Sequence, residues 1–481
     1  MLFNSFEFLV FCPIVFLLYW FVFRGPKWQN LLIVAASYVF YGWWDWRFLG
    51  LIALTSLLSY GSGLLIERYE GHRGKQRAVS AANIVVNLLI LFIFKYYNFF
   101  ADSLNTLLHS ALGYELDWAT MNIILPVGIS FYTFQALSYT IDVYQRRLSA
   151  THDVVELFAY ISFFPQLVAG PIERGTNLLP QFQRERRFDY GQAVDGMRQI
   201  LWGLLKKLVI ADNCALLVDE KWNYYHNMPG LSLLLLGVLF TLQIYCDFSG
   251  YSDIAIGCAR LFGFNLMRNF NFPYFSRSIP EFWRRWHISL TTWFRDYIYF
   301  PLGGSRHGKA KTIRNAYIVW ALSGLWHGAN WTFVCWGIYH ATLLAIYNLL
   351  GINTKYSHAA AWGRLLPSVK EVLQISLTFL LAVMGWIIFR CESMEQAVGF
   401  FKAMVVNDFY NSSVVTGGTY LLFGFVMLAV EWLQREKQHA LQFADIKPFC
   451  YRPVRWCVYY VIIMMMFIYS GTGQTFIYFQ F

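Results

Sequence analysis

The chain has 481 residues, of which 57% are hydrophobic and only 14% charged, with a mean hydropathy of +0.41. A soluble domain carries about 25% charged residues, so the composition excludes an ordinary soluble globule. It predicts an all-α, polytopic integral membrane protein forming one domain over residues 1–481. The formal net charge of +10 fits basic cytoplasmic loops and gives no reason to expect nucleic acid as a partner.

A membrane span needs about 20 mostly apolar residues. The first four candidates run from Phe6 to Phe23, Trp28 to Trp43, Phe48 to Ile66 and Ala78 to Ala101, and Asn122 to Val143 follows. No basic region or small-residue cleavage site precedes the first, so it reads as a retained helix. The loop after the third span holds Arg68, Arg73, Lys75 and Arg77, whereas Asp102 to Trp118 holds Asp102, Glu115 and Asp117 without Lys or Arg. The positive-inside rule puts the first loop in the cytoplasm, and the acidic one and the N-terminus outside.

Val154 to Ile172 is apolar but carries Phe-Phe-Pro-Gln-Leu-Val-Ala-Gly-Pro and has arginines on both flanks. Such a run predicts a re-entrant segment with broken backbone; the alternative is a kinked ordinary span. Val194 to Leu217 then crosses outward with Lys206 and Lys207 inside it, and Leu231 to Asp247 crosses back. Gly250 to Arg314 holds ten Lys/Arg against three acids, interleaved with aromatics, and reads as a cytoplasmic stretch whose basic face suits an anionic ligand. Tyr317 to Val334, Cys335 to Leu350, Val372 to Phe389, Tyr420 to Trp432 and Trp456 to Tyr469 complete roughly 11 spans plus re-entrant pieces. The uncharged tail from Ser470 is placed outside.

Function concentrates between Asn269 and His340. His327 sits in apolar sequence, Leu-Ser-Gly-Leu-Trp-His-Gly-Ala-Asn-Trp, where an ionisable group is costly and marks a functional site by default. A neutral imidazole there suits a general base for an attacking hydroxyl, with Trp326 and Trp331 shaping a dry pocket and Asn330 donating a hydrogen bond. The alternative is a core histidine bonded to a backbone carbonyl. His287 lies in Phe-Trp-Arg-Arg-Trp-His-Ile-Ser-Leu. A helix over Phe282 to Phe294 would put Trp283, Trp286, His287 and Leu290 on one face, making His287 either a second reactive or donor-orienting group or part of an interfacial anchor.

Weaker signals surround these two. Gly303 to Ala310 nearly matches a phosphate-binding loop, but Ala310 has no hydroxyl for magnesium. Asp247 and Asp253 could line an ion path or orient buried donors, and Lys95 is expected to snorkel. The eight cysteines show neither CxxC nor zinc spacing, so no disulfide framework and no metal site is expected.

These residues resemble the membrane-bound O-acyltransferase family, and within it the bacterial branch that O-acetylates alginate and other exopolysaccharides. The resemblance is carried by Phe94 to Phe100, Pro126 to Tyr144, Phe164 to Phe182, Tyr245 to Gly257, Pro273 to Arg306, Leu325 to His340 and the closing Phe-Ile-Tyr-Phe-Gln-Phe. It implies a ring of helices around a thin centre, with funnels from both faces meeting near His327, and a catalytic core over about residues 245–345. His327 falls on the family's catalytic histidine and His287 on its partner. Arg284, Arg285, Trp286, Arg295 and Asn330 become candidates for donor binding. The implied chemistry needs no bound cofactor. An acetyl group passes from acetyl-CoA or an acyl-carrier thioester in the cytoplasm to an extracytoplasmic polysaccharide, with periplasmic acetyltransferase partner proteins completing transfer, at the bacterial inner membrane. A related branch handles D-alanine and teichoic acid. A transporter or flippase for an anionic glycan or lipid, and a purely structural subunit, are the competing classes. Transporters often carry internal repeats, and none is visible here.

Overall fold

The computed structural model describes residues 1–113, 123–352, 356, 358–411, 417–443, 451–470, 473–474 and 476–477, and among them all regular structure is helical. Glu115, Asp117, the start of the Asn122 to Val143 run, Cys450 and residues 478–481 lie outside the described residues. Among the described residues five helices are long and apolar enough to cross a membrane: Trp46–Arg68, Arg73–Leu112, Gly230–Leu261, Val369–Arg390 and Arg452–Tyr469. Phe6–Val22 and Gly418–Leu433 are apolar but shorter. Other apolar runs form shorter helices, such as Pro26–Gly42 with 17 residues.

The chain forms two compact units, Met1–Gln192 with Ala259–Leu266, and Ala193–Cys258 with Met267–Phe481. In the first, the Ile129–Tyr144 helix is buried on nearly every side, and it carries polar side chains that find partners there. Asn83 donates to Thr140 at 2.7 Å, and Gln166 donates to Gln135 at 2.8 Å. Arg186 donates to Asn30 and to the Phe182 carbonyl and lies over the Phe264 ring. The Val154–Ser162 helix ends after nine residues, and residues 163–173 are non-helical and buried. This is the broken backbone that the two prolines and glycine predict, tolerated because it is enclosed by protein.

The second unit is built on residues 230–258 of the Gly230–Leu261 helix, which has 32 residues and is about 48 Å long at 1.5 Å per residue. The sequence ends a span at Asp247 and opens a loop at Gly250, but the helix continues through both. Gly250 is a packing residue, not a breaker: a Cβ on Gly203 would stand 2.6 Å from the Gly250 carbonyl oxygen. Small residues let two helix backbones approach this closely.

Lys206 and Lys207 are adjacent yet both buried. They open a π-helical stretch, Lys206–Ala211, and such a wide turn changes the direction of successive side chains. Lys206 Nζ reaches Asp253 at 2.6 Å and Ser249 at 2.8 Å. Lys207 Nζ reaches Asp212 and Asp247, each at 2.8 Å, and the Gln474 carbonyl at 3.1 Å. Asp247 also accepts from the Ile477 N–H at 2.7 Å. Asp247 and Asp253 therefore orient buried donors. Removing one member of a buried ionic cluster costs about 3–5 kcal/mol. Lys207→Met, which leaves Asp212 and Asp247 facing each other, should lower the thermal midpoint of the detergent-solubilised protein sharply, as read by fluorescence-detected unfolding.

Candidate active site

The cavity that holds both histidines lies within the second unit. Its volume is about 500 Å³, and its lining includes Trp283, Trp286, His287, Trp320, Ser323 and His327 from deep in the protein. Arg284, Arg295 and Ser305 line it from exposed positions. It thus runs from a basic, exposed side to buried imidazoles among indole rings.

His287 does not lie inside a helix. Ser278 caps Ile279–Arg285 by accepting from the Glu281 N–H at 3.3 Å, with Pro280 in the first turn. That helix ends at Trp286, and Ile288–Phe294 begins after His287, whose φ is +42°. The continuous helix expected over Phe282 to Phe294 is therefore corrected. A left-handed conformation at a residue other than glycine persists only where its surroundings enforce it. Here the Asn271 N–H donates to the Arg285 carbonyl and the Ile288 N–H to the Asn269 carbonyl, both at 2.9 Å, so the chain is pinned on each side of the break. The Asn269 side chain completes the clasp. Its Oδ1 lies 3.1 Å from His287 Nδ1, accepts from the Ser289 hydroxyl at 2.9 Å and from the Ser289 N–H at 3.3 Å, and its Nδ2 donates to Ser252 at 3.2 Å.

His327 is the last residue of Lys309–His327, and Trp331–Leu349 follows after three residues. The sequence divides this pair at Val334 and Cys335, whereas the turn falls at Gly328 to Asn330, because Asn330 caps the second helix by accepting from the Thr332 N–H at 2.9 Å. The two helices pack without room for a Cβ at Gly324 or Gly337. The His327 ring meets Trp326, Trp336 and Phe389 at 5.0, 5.1 and 5.3 Å between centroids. Trp326 also touches the His287 ring at 5.9 Å, and Phe248 stands edge-on to it at 4.6 Å. A buried aromatic shell of this kind strengthens polar interactions inside it.

The other candidates separate. Trp286, Arg284 and Arg295 line the cavity. Arg284 donates to the Tyr356 carbonyl at 2.9 Å and Arg295 to Asp296 at 2.7 Å. Arg285 is buried and held by Glu281 at 3.0 Å, and Asn330 donates to the Glu392 carbonyl at 2.7 Å; neither lines the cavity. Ser323 lines the cavity, while Ser289 is engaged with Asn269 and Cys335 stands outside the lining. Among the described residues no cluster of His, Cys, Asp or Glu could hold a metal ion.

Two contributors escape a reading of the sequence. Asn269 has the short-range look of a turn residue, and only its contact 18 positions away gives it a role. His340 carried the same signal as His327, an imidazole in an apolar run. It is buried, and its Nδ1 accepts from Trp283 Nε1 at 3.2 Å, fixing one wall of the cavity.

Described residues whose regular structure is all helical, with helices long and apolar enough to cross a membrane, and a cavity that joins two buried imidazoles to exposed arginines, define a membrane protein with a built chemical site. The chain belongs to the membrane-bound O-acyltransferase family, whose match covers residues 38–389, and it is an O-acyltransferase. It is 42% identical over 406 residues to a probable alginate O-acetylase of Pseudomonas aeruginosa, covering 84% of this chain and 75% of that protein. A peptidoglycan O-acetyltransferase of Helicobacter pylori is 32% identical over 435 residues, 84% of this chain and 80% of that one. A teichoic acid D-alanyltransferase of Bacillus subtilis is 28% identical over 356 residues, 71% and 85%.

Asn330→Ala removes a helix cap worth about 1 kcal/mol and should lower thermal stability while transfer continues. Lost transfer at unchanged stability would instead place Asn330 in the chemistry.

Proposed function

We propose that this enzyme moves an acetyl group from a cytoplasmic thioester, acetyl-CoA or a carrier-bound form, to a polysaccharide of the bacterial cell envelope, directly or through a periplasmic partner protein. The observation that carries the reading is the single cavity with His287 and His327 in its buried part and Arg284 and Arg295 at its exposed side. Two arginines suit a phosphate-bearing donor. A volume of about 500 Å³ has room for the arm that carries the thioester as well as for the two carbons transferred. Acetyl is preferred over D-alanyl because two O-acetyl-transferring relatives, at 42% and 32% identity, match more closely than the D-alanyltransferase at 28%. In this reading the chain crosses the inner membrane roughly 11 times as a ring around a thin centre, with both termini outside.

His327 serves as general base, taking the proton of the attacking hydroxyl. It ends a helix whose last carbonyls carry partial negative charge where the imidazolium forms. The hydroxyl oxygen attacks the thioester carbon, the C–S bond breaks, and the thiol leaves with a proton. His287 holds the acceptor or the thioester, Trp286 lines the donor path, and Arg284 and Arg295 bind the donor's anionic part.

The test is transfer of labelled acetyl from acetyl-CoA in membranes holding matched amounts of wild type or His327→Ala. A general base contributes about 10²–10⁴-fold, so the variant should lose at least two decades of turnover. Equal label in both would remove His327 from the role. Glycan crossing the membrane without label in either would favour a transporter. In the same membranes Arg284→Glu and Arg295→Glu should each raise KM for acetyl-CoA roughly threefold to tenfold and blunt its salt dependence, with kcat little changed.

A further inference from the structure

The amide of Asn269 determines what His287 can offer a substrate. The backbone N–H of Ser289 can only donate, so the amide atom 3.3 Å from it is the oxygen. The opposite end of the same amide is oriented by its bond to Ser252. That oxygen is also the atom 3.1 Å from His287 Nδ1. A carbonyl oxygen accepts and never donates, so Nδ1 carries the hydrogen. In a neutral imidazole the lone pair then resides on Nε2, because the hydrogen bond at one ring nitrogen sets the state of the other.

We propose that Asn269 is a positioning residue for acyl transfer: it locks His287 as the Nδ1–H tautomer, so that this ring presents an acceptor and holds a hydroxyl-bearing acyl acceptor, not the carbonyl of the thioester. The left-handed backbone at His287 serves the same end, since Asn269 grips residues 287, 288 and 289 through its side chain and its carbonyl together. This deepens the proposed function and rests on its assignment of His287 to the transfer reaction. Neither Asn269 nor Ser252 lines the cavity, so Asn269 reaches the substrate through the His287 ring and not by touching it.

The test is a double-mutant cycle on the full chain in native membranes, with labelled acetyl-CoA as donor. Asn269→Leu keeps the volume and loses the acceptor; it should lower kcat on the order of 10- to 100-fold, as loss of a tautomer-fixing partner does, and leave KM for acetyl-CoA within about twofold. Asn269→Asp still accepts through oxygen and should retain most of the turnover. In the His287→Ala background Asn269→Leu should cause no further loss, because residues acting through one group are not additive. Ser252→Ala, a milder change that frees the amide to rotate, should show a smaller loss that also vanishes in that background. The same fold-loss in both backgrounds, or a rise in KM at unchanged kcat, would overturn the proposal. Full turnover by His287→Ala is a separate outcome, which removes the reading of His287 and this inference with it.

Discussion

A polar group taken out of water must find its partner inside the protein, and in a chain that crosses lipid this requirement extends to backbone and side chains alike. The second unit is arranged around it. Lys206 and Lys207 enter the interior only because a π-helical stretch aims both at carboxylates on neighbouring segments. Glu281 is buried because Arg277 and Arg285 meet it, and this ionic clamp fixes the short helix that ends just before His287. The imidazole then takes its own partner from Asn269. Remove the pairing and the same groups become buried charges or orphaned dipoles, each costing on the order of 1–3 kcal/mol or more.

The same constraint sorts the candidate residues by what they touch. Arg285 and Asn330 satisfy other parts of the protein, a carboxylate and two backbone groups. His287, His327, Arg284 and Arg295 line a cavity with room for a ligand. Aromatic rings fill the space around the histidines, and His340 holds one of those rings through Trp283. The result is a site in which few polar groups converge within apolar walls, the usual make-up of a small-molecule site, and which suits an acyltransferase that must keep water from its activated acyl group.

Much of this was legible in the sequence, and the failures have a common cause. Composition gave the membrane class, an ionisable residue in an apolar run singled out His327 as a candidate, and a charged, aromatic segment singled out His287. The prolines and glycine near Phe163 announced broken backbone. Asn330 before an apolar run is a helix-cap pattern, and the Glu281/Arg285 spacing is that of an intrahelical pair, so both contacts could have been read locally. The break at His287 could not, because it is imposed by Asn269 and Asn271 through contacts 14 to 20 residues apart in sequence and not by a local breaker. Continuation of the helix through Gly250 was hidden for the same reason: the glycine is needed by Gly203 on another helix. Counting apolar runs also treats each as a span, whereas the chain divides some of them into pieces such as Val154–Ser162.

The most direct measurement is a structure of the full chain in lipid with a non-cleavable thioether analogue of acetyl-CoA. The two-carbon end should lie in the cavity against His327, the arm should follow Trp283 and Trp286, and the phosphates should meet Arg284 and Arg295. Density for the analogue elsewhere on the protein, with this cavity empty, would contradict the assignment of the reaction centre.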